Sequence, residues 1–378
     1  MGTSARERER DERFMAEALA LARLGAGRVS PNPLVGAVVV RDGRIAGRGY
    51  HAAFGGPHAE SAALADAGEK ARGADLYVSL EPCNHLGKTP PCTEAILRAG
   101  VTRLVCALAD PNPLVRGGGA ERLRAAGVAV ELGPMEEDAR RLNEAYLKHV
   151  RTGLPFVELK IAASLDGRIA AAGGRSRWIT GEEARDAVQG WRAAASGIVV
   201  GAGTVRADDP ALTVRDGSGV RPRRIVVSSR LDLTLDRRVF RDGEAPTVVA
   251  TTTDAPAEAE RALVERGAEV WRMRAADDGR VSVLALLERC GAEGMNRLLV
   301  EGGGALATAF LAAGCVDRIR LFVAPVILGG DGVAWAGPLG VTDPSDGLRL
   351  DEVEFSRFGD DLLVTGVPRA AGAREAEE

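Results

Sequence analysis

The sequence predicts an α/β protein of two tandem domains. Short apolar runs alternate with segments of helical spacing, as strands and helices do in α/β folds. The 378 residues are many for one domain and suit two. The pattern of the first part of the chain is also not repeated in the second.

Taken in order, a charged lead precedes the apolar face of "ERFMAEALALARLG", which predicts a helix ending at Gly25. "NPLVGAVVVRDGRIAGRGYH" predicts a hairpin that turns at "RDG". "HAESAALADAG" is expected to open a helix after Pro57 and close it at Gly68. "ADLYVSLEPC" predicts a buried strand, "CTEAILRAG" a helix, "VTRLVCALADPNP" a strand, "GGAERLRAAG" a helix and "VAVELG" a strand. "EAYLKHVRTGLPF" is expected to bridge to the second domain. There "FVELKIAASLDGRIA", "SGIVVGAGTV", "RRIVVSS", "TVVATTT", "RLLVEGGG" and "RIRLFVAPVILGG" predict strands. "GEEARDAVQGWRAAA", "AEAERALVERG", "VSVLALLERC" and "ALATAFLAAG" predict helices between them. The expected boundaries are 12–147 and 153–368, with 1–11 and 369–378 disordered.

Composition narrows the function. With 49 basic and 53 acidic residues the net charge is −4, which argues against a basic groove for nucleic acid. No apolar run is long enough to span a bilayer, and the N-terminus lacks an apolar secretion core. Both fit a cytoplasmic protein. Five cysteines make an odd count, so metal ligation or buried thiols are expected rather than a disulfide framework. Cys106, Cys290 and Cys315 lie in apolar surroundings and read as core residues.

One cluster carries chemistry. His58, Cys83 and Cys92 are three ligands of the kind zinc prefers, and a catalytic zinc site keeps a position open for water. Glu60, two residues from His58, is not needed as a ligand and is placed to exchange protons at that site. Both cysteines are expected near helix starts, where thiolate is favoured. A purely structural zinc site would ordinarily have four protein ligands and leave Glu60 without a role. H-x-E followed by P-C-x-x-C marks zinc nucleobase deaminases. Here the second Cys comes nine residues after the first, and the interval contains His85, Lys88 and Thr89. Those groups suit a phosphate, so the departure points to a phosphorylated substrate.

In the second domain, "IVVGAGTV" and "LLVEGGGALATAF" place glycines directly after strands, where backbone can approach a ligand. Neither is a complete dinucleotide fingerprint or a P-loop. By residues alone, a tight turn remains as good a reading of each.

With "PNPLVGAVVV", "GYH", "HAE", "LEPCNHLGKTPPC" and "DPNP" in order, the first domain resembles the deaminase half of bifunctional riboflavin-biosynthesis deaminase–reductases. "LKIAASLDGRIA", "SRWITGEEARDAVQGWRA", "VGAGTVRADDPALTVR" and "LLVEGGGALATAFL" are similar to the reductase half. The resemblance runs over roughly residues 12 to 367. It implies a cytidine-deaminase-like three-layer αβα domain followed by a dihydrofolate-reductase-like α/β domain. It implies zinc-dependent deamination of a diamino-ribosylamino-pyrimidinone 5′-phosphate, then NADPH reduction of the ribosyl chain to ribityl. On this pattern zinc sits on His58, Cys83 and Cys92, and Glu60 shuttles protons. Asn32, His51, His85, Lys88, Asp110 and Asn112 would hold the pyrimidine ribotide.

The pattern assigns cofactor contacts to Ala162, Trp178, Thr204, Asp208 and the segment beginning Gly303, Gly304, Ala305. Reductase substrate contacts fall on Ser176, Arg192, Leu212, Arg215 and Glu301. Two arginines are what a sugar phosphate wants. Gln189 and Ser196 flank a helix and are expected not to decide activity. A small-molecule substrate and a homodimer or larger assembly through the second domain complete the expectation. A stand-alone cytidine or tRNA-adenosine deaminase is disfavoured by the long Cys83–Cys92 interval and the acidic balance. A ligand sensor without turnover is disfavoured by the intact His58, Glu60, Cys83 and Cys92.

Overall fold

The computed structural model describes residues 4–86, 90–113 and 118–369. The chain divides between Gly153 and Leu154 into two compact units.

The first unit runs α1 (Ala5–Arg23), β1 (Gly36–Arg41), β2 (Arg44–Tyr50), α2 (Ala59–Ala67), β3 (Asp75–Val78), α3 (Cys92–Ala99), β4 (Arg103–Cys106), α4 (Gly118–Ala125), β5 (Ala129–Leu132) and α5 (Glu136–Thr152). Its sheet has the order β2-β1-β3-β4-β5. β1 is antiparallel to β2 and β3, and β3, β4 and β5 are parallel. The hairpin turns at Asp42 and Gly43, both in the left-handed region that two-residue hairpins need.

Side chains alternate across the sheet with the strand period of two. Ala37, Val39, Leu76, Val78, Leu104 and Cys106 pack with Ala63 of α2, Ile96 of α3 and Leu123 of α4. Val38, Val40, Tyr77 and Val105 pack on the other face, with Met15 and Leu19 of α1 and Ala139 and Tyr146 of α5. That is the expected αβα arrangement. Gly47 and Gly49 let α2 lie directly on β2: a Cβ there would come within 2.4 and 2.3 Å of the Ala63 backbone. The helix carrying His58 and Glu60 at its start is thereby held close to the sheet.

Two expectations fail here. Residues 5–11 are not frayed but begin α1. Ser4 and Glu7 form a capping box, and Asp11 is buried, bonded to Arg103 at 2.6 Å and to the Tyr77 hydroxyl at 2.7 Å. The segment read as a bridge from Glu144 onward is the second half of α5. Ala145, Tyr146 and Leu147 are buried, so the first unit reaches Gly153 rather than 147.

The second unit runs β6 (Phe156–Ser164), β7 (Arg168–Ala170), α6 (Glu182–Ala194), β8 (Gly197–Gly201), α7 (Ala202–Asp208), β9 (Arg223–Val227), α8 (Arg238–Arg241), β10 (Thr247–Thr252), α9 (Ala257–Glu265), β11 (Glu269–Met273), α10 (Val283–Ala292), β12 (Arg297–Val300), α11 (Gly304–Ala312), β13 (Arg318–Ala324), β14 (Val333–Ala334), β15 (Arg349–Phe358) and β16 (Asp361–Arg369). A nine-stranded sheet has the order β11-β10-β9-β8-β12-β6-β13-β16-β15, parallel up to β13 and antiparallel beyond. β7 and β14 pair separately.

β11 and the β15–β16 hairpin were not anticipated. β15 is an edge strand with mostly exposed, charged residues, so it shows no apolar run. Residue 369, expected to open the disordered tail, instead closes β16; the rest of that expectation, 370–378, lies outside the described residues.

β6 decides what the sheet offers a ligand. Val157, Leu159, Ile161 and Ala163 face the core. Alternation turns Glu158, Lys160 and Ala162 to the opposite face. Glu158 is buried there and paired with Arg297 at 2.9 Å and Arg320 at 2.6 Å.

Candidate active sites

In the first unit two helix starts converge. His58 is the N-cap residue of α2, but its side chain makes no capping bond. Cys92 is the first residue of α3. Cys83 lies in the loop after β3, not at a helix start as expected. It is nevertheless met by one, because the Cys92 N–H donates to its Sγ at 3.4 Å. His58 Nδ1 stands 3.2 Å from Cys92 Sγ and 3.5 Å from Cys83 Sγ. The three donor atoms lie within 4.8 Å of one another, the only such cluster among the described residues.

The donor set and its electrostatics fit zinc. Cys83 is held well below the ordinary thiol range, first by the Cys92 thiol and also by His58. Cys92 is pushed up by the same contact and by burial. The pair thus shares its proton unequally, with Cys83 the readier thiolate beside the His58 imidazole, and a bound cation would favour ionisation of both thiols. Glu60, in the first turn of α2, is buried, and burial pushes its carboxyl up to about 7. A carboxyl poised there can both take and return a proton near neutral pH.

A cleft of about 240 Å³ opens on these groups, and Asn32, His51, His85, Asp110 and Asn112 line it. His51 is buried, not at a surface, and burial lowers its pKa. Its Nδ1 lies 3.0 Å from the Pro57 carbonyl, which can only accept, so Nδ1 carries the proton. Nε2 then accepts from the Asn32 amide at 3.0 Å. Asp110 is buried, which raises its pKa, and takes hydrogen bonds from Asn112 N–H and the Tyr146 hydroxyl. Lys88 and Thr89 lie outside the described residues. Glu81, Tyr146 and Asn143 were missed. Glu81 accepts from Asp110 N–H and Ala120 N–H at 3.3 and 3.0 Å.

In the second unit a cleft of about 410 Å³ collects most of the expected residues. Ala162 of β6, Ser176 and Trp178 before α6, Thr204 and Asp208 of α7, and Gly303 line it. So do Arg192 of α6, Leu212 and Arg215 after α7, and Glu301 after β12. Ser176 donates to Asp208. Thr204 Oγ1 accepts from Gly303 N–H at 3.1 Å, which ties α7 to the glycine run.

Gly304 and Ala305 do not line this cleft. Gly304 sits where a Cβ would come 2.4 Å from the Ala334 carbonyl. Ala305 opens on a neighbouring cleft of about 510 Å³, with Gly201, Gly203, Arg206, Ser228, Arg230 and Arg280.

Arg192 was expected to grip a phosphate with its fork, but the fork is engaged by protein. Nε and Nη2 donate to Glu301 at 2.6 and 2.7 Å, and Nη1 donates to the Thr213 carbonyl at 3.2 Å. Burial pushes the Glu301 carboxyl up, and Arg192 with Lys160 more than offsets that. Lys160, which sequence reasoning missed, is lowered by its burial. The signal was a charge inside the apolar run "FVELKIAAS", on the same strand face as Glu158. Arg185 was missed too; its guanidinium stands 4.6 Å from the Trp178 ring. Gln189, expected to flank a helix and not to decide activity, lies within α6 and lines the cleft, and its Oε1 accepts from Arg215 N–H at 3.1 Å. Ser196 instead donates to Asn296 at 3.0 Å and is not among the lining residues.

Comparison with known proteins agrees with both halves. Residues 8–108 match the cytidine and deoxycytidylate deaminase zinc-binding region, and residues 155–364 match the RibD C-terminal domain. The riboflavin biosynthesis protein RibD of Aquifex aeolicus is 42% identical, over 94% of this chain and 98% of its own. That of Escherichia coli is 41% identical over 94% and 98%. The solved structure of Acinetobacter baumannii RibD has a TM-score of 0.86 at 36% identity, covering 96% of this chain and all of that one. A diaminohydroxyphosphoribosylaminopyrimidine deaminase/5-amino-6-(5-phosphoribosylamino)uracil reductase from Thermotoga maritima has a TM-score of 0.83 at 37% identity, over 96% and 99%. The chain belongs to the RibD family.

Proposed function

We propose that this RibD-family chain carries out two consecutive steps of riboflavin biosynthesis. The first unit hydrolyses the 2-amino group from 2,5-diamino-6-ribosylamino-4(3H)-pyrimidinone 5′-phosphate and releases ammonia. The second reduces the ribosyl chain of the product to ribityl with NADPH. The observation that carries the reading is the buried Glu60 beside three convergent zinc donors at the mouth of a cleft.

His58, Cys83 and Cys92 would hold Zn²⁺, which when bound makes water acidic near neutral pH. Glu60 takes a proton during attack and returns it to the departing amine. Asn32, His51, Asp110 and Asn112 hold the pyrimidine and ribose, and His85 and Lys88 the phosphate end. The enclosed setting of Glu60 keeps its carboxyl in the range where both transfers are possible.

NADPH supplies a hydride when bound. Ala162, Trp178, Thr204, Asp208 and the start of α11 would hold it. The adjoining cleft is lined by Arg206, Arg230, Arg280 and Ser228; Arg206 and Arg280 are paired with Asp232 and Asp278 of the same lining, which leaves Arg230 as the arginine best suited to the extra phosphate that separates NADPH from NADH. Ser176, Leu212, Arg215 and the Arg192–Glu301 pair would hold the ribosyl substrate. We place the enzyme in the cytoplasm as a homodimer or larger assembly through the second unit, and light scattering of the purified protein tests the assembly.

Product analysis with the diamino-pyrimidinone ribotide tests the activities. Deaminated ribosyl product without NADPH, and ribityl product with it, are expected. Deamination alone in both reactions would remove the reductase half of the reading, and absence of ammonia from zinc-loaded protein would remove the first half.

A further inference from the structure

The last helix of the first unit puts two polar side chains on its packed face. Asn143 and Tyr146, one turn apart on α5, are both buried beside the apolar contacts of Ala139 and Leu147. Asn143 is 2% exposed. Both ends of its carboxamide are spent on one residue: Oδ1 accepts from Leu34 N–H at 2.8 Å, and Nδ2 donates to the Leu34 carbonyl at 3.0 Å. Tyr146 donates its hydroxyl to Asp110, 2.9 and 3.1 Å from the two carboxylate oxygens.

Leu34 lies two residues after Asn32, and Asp110 two before Asn112. Both stretches contribute to the same cleft lining, one between α1 and β1 and the other after β4. Burying a carboxamide costs free energy unless its groups are paired, and an apolar side chain would serve simple packing at this position. The pairing here fixes backbone in a connection outside any strand ladder. It also fixes the Asn32 end of the relay Asn32–His51–Pro57.

We infer that Asn143 and Tyr146 are positioning residues of the deamination site. One turn of α5 braces two stretches of the lining against which the pyrimidine ribotide would lie. Asn143 sets the loop bearing Asn32, and Tyr146 orients Asp110. The inference rests on the deaminase reading above and assigns the helix no part in zinc binding or proton transfer.

The test uses the full-length zinc-loaded protein with Asn143→Ala, Asn143→Asp and Tyr146→Phe. Asn143→Ala should speed amide exchange across residues 32–36 by roughly tenfold or more. It should raise the deaminase KM by roughly tenfold, the effect of one lost buried pairing, with a smaller change in kcat. Zinc content and reductase activity should match the parent. Asn143→Asp keeps the acceptor for Leu34 N–H but turns a carboxylate oxygen on the Leu34 carbonyl, and should be at least as damaging as Ala. Tyr146→Phe should raise KM in the parent and have little effect once Asp110 is changed to Asn.

A double-mutant cycle separates positioning from general destabilisation: in an Asn32→Ala background, Asn143→Ala should add less than about twofold in KM. Unchanged exchange and KM would overturn the inference. So would full multiplicative effects in the Asn32→Ala background, or loss of zinc and kcat with KM unmoved. If the parent itself does not deaminate, the functional reading fails, while exchange at Leu34 still decides whether Asn143 holds the loop.

Discussion

The two clefts differ in how they concentrate their chemistry. The first draws its three candidate ligands and its candidate proton shuttle from residues 58 to 92, at two helix starts and the loop that one of them meets. The second spreads its lining from Lys160 to Gly303, across strand ends and connections. One deep carboxyl and three soft or borderline ligands suffice for a metal-assisted hydrolysis. Hydride transfer asks mainly for placement, so many weak contacts share the task. Loss of one residue should therefore be far more severe in the first cleft than in most of the second.

Glu60→Gln is the sharpest form of that comparison. It keeps shape and zinc but cannot accept a proton. Deaminase kcat should fall by about 10³-fold, within the range for removing a general acid–base group. Reductase turnover of the deaminated substrate should stay at the parental rate. Chelating the zinc should reproduce the same split. Normal deamination by the Gln variant would remove the proton-shuttle assignment.

Arg192 is the position in the second cleft where the comparison should nearly break. It is bidentate on part-buried Glu301 and also holds Thr213. Arg192→Ala would leave Glu301 without its fork, a loss approaching the ~3–5 kcal/mol of a fully buried pair. Reductase activity should collapse, with ammonia release intact. Arg192→Lys should recover part of it. Retained reductase kcat/KM in the Ala variant would show that the pair does not organise the cleft.

The second unit should also carry an acid sensitivity that is its own. Glu158 is nearly fully buried; burial pushes its carboxyl up, but Arg297 and Arg320 win and hold it at about 2. The folded state therefore binds this proton less readily than the unfolded one. The stabilisation, about 3 kcal/mol by linkage, is present above the ordinary carboxyl range and lost as pH falls toward 2. Trp178, Trp191, Trp271 and Trp335 all lie in the second unit, so tryptophan fluorescence reports its unfolding alone. Glu158→Gln should flatten the acid slope of its urea midpoint between about pH 4.5 and 2. An unaltered slope would place the acid response elsewhere.

The same contrast explains what the sequence disclosed. The zinc cluster was legible because metal ligation constrains residue type, and His58, Glu60, Cys83 and Cys92 fall close together. The central strands β1 and β3 were legible because both faces of the sheet are covered, so they are buried along nearly their whole length as unbroken apolar runs. The polar edge strand β15 shows no such run, and α5 was split by reading its amphipathic second half as a linker. Asn143 and Tyr146 were illegible because their partners, Leu34 and Asp110, lie far off in sequence and meet them only through the sheet. Arg192 does line the second cleft, but its engagement by Glu301 depends on a contact across 109 positions.

Gln189 offers the mildest test and the finest division between the clefts. Its Oε1 holds the backbone N–H of Arg215, an exposed residue of the cleft lining, and the bond itself is exposed. A single such hydrogen bond is worth about 1 kcal/mol, so Gln189→Ala should raise the reductase KM by about fivefold and spare kcat. Arg215→Ala should raise KM by roughly tenfold, the loss of a charged hydrogen bond. If Gln189 acts by aiming Arg215, the double variant should resemble Arg215→Ala alone. If the two effects multiply, Gln189 touches substrate in its own right, and the second cleft then has one more direct contact and one less support. In either case deamination should be untouched, because Gln189 and Arg215 both belong to the second unit.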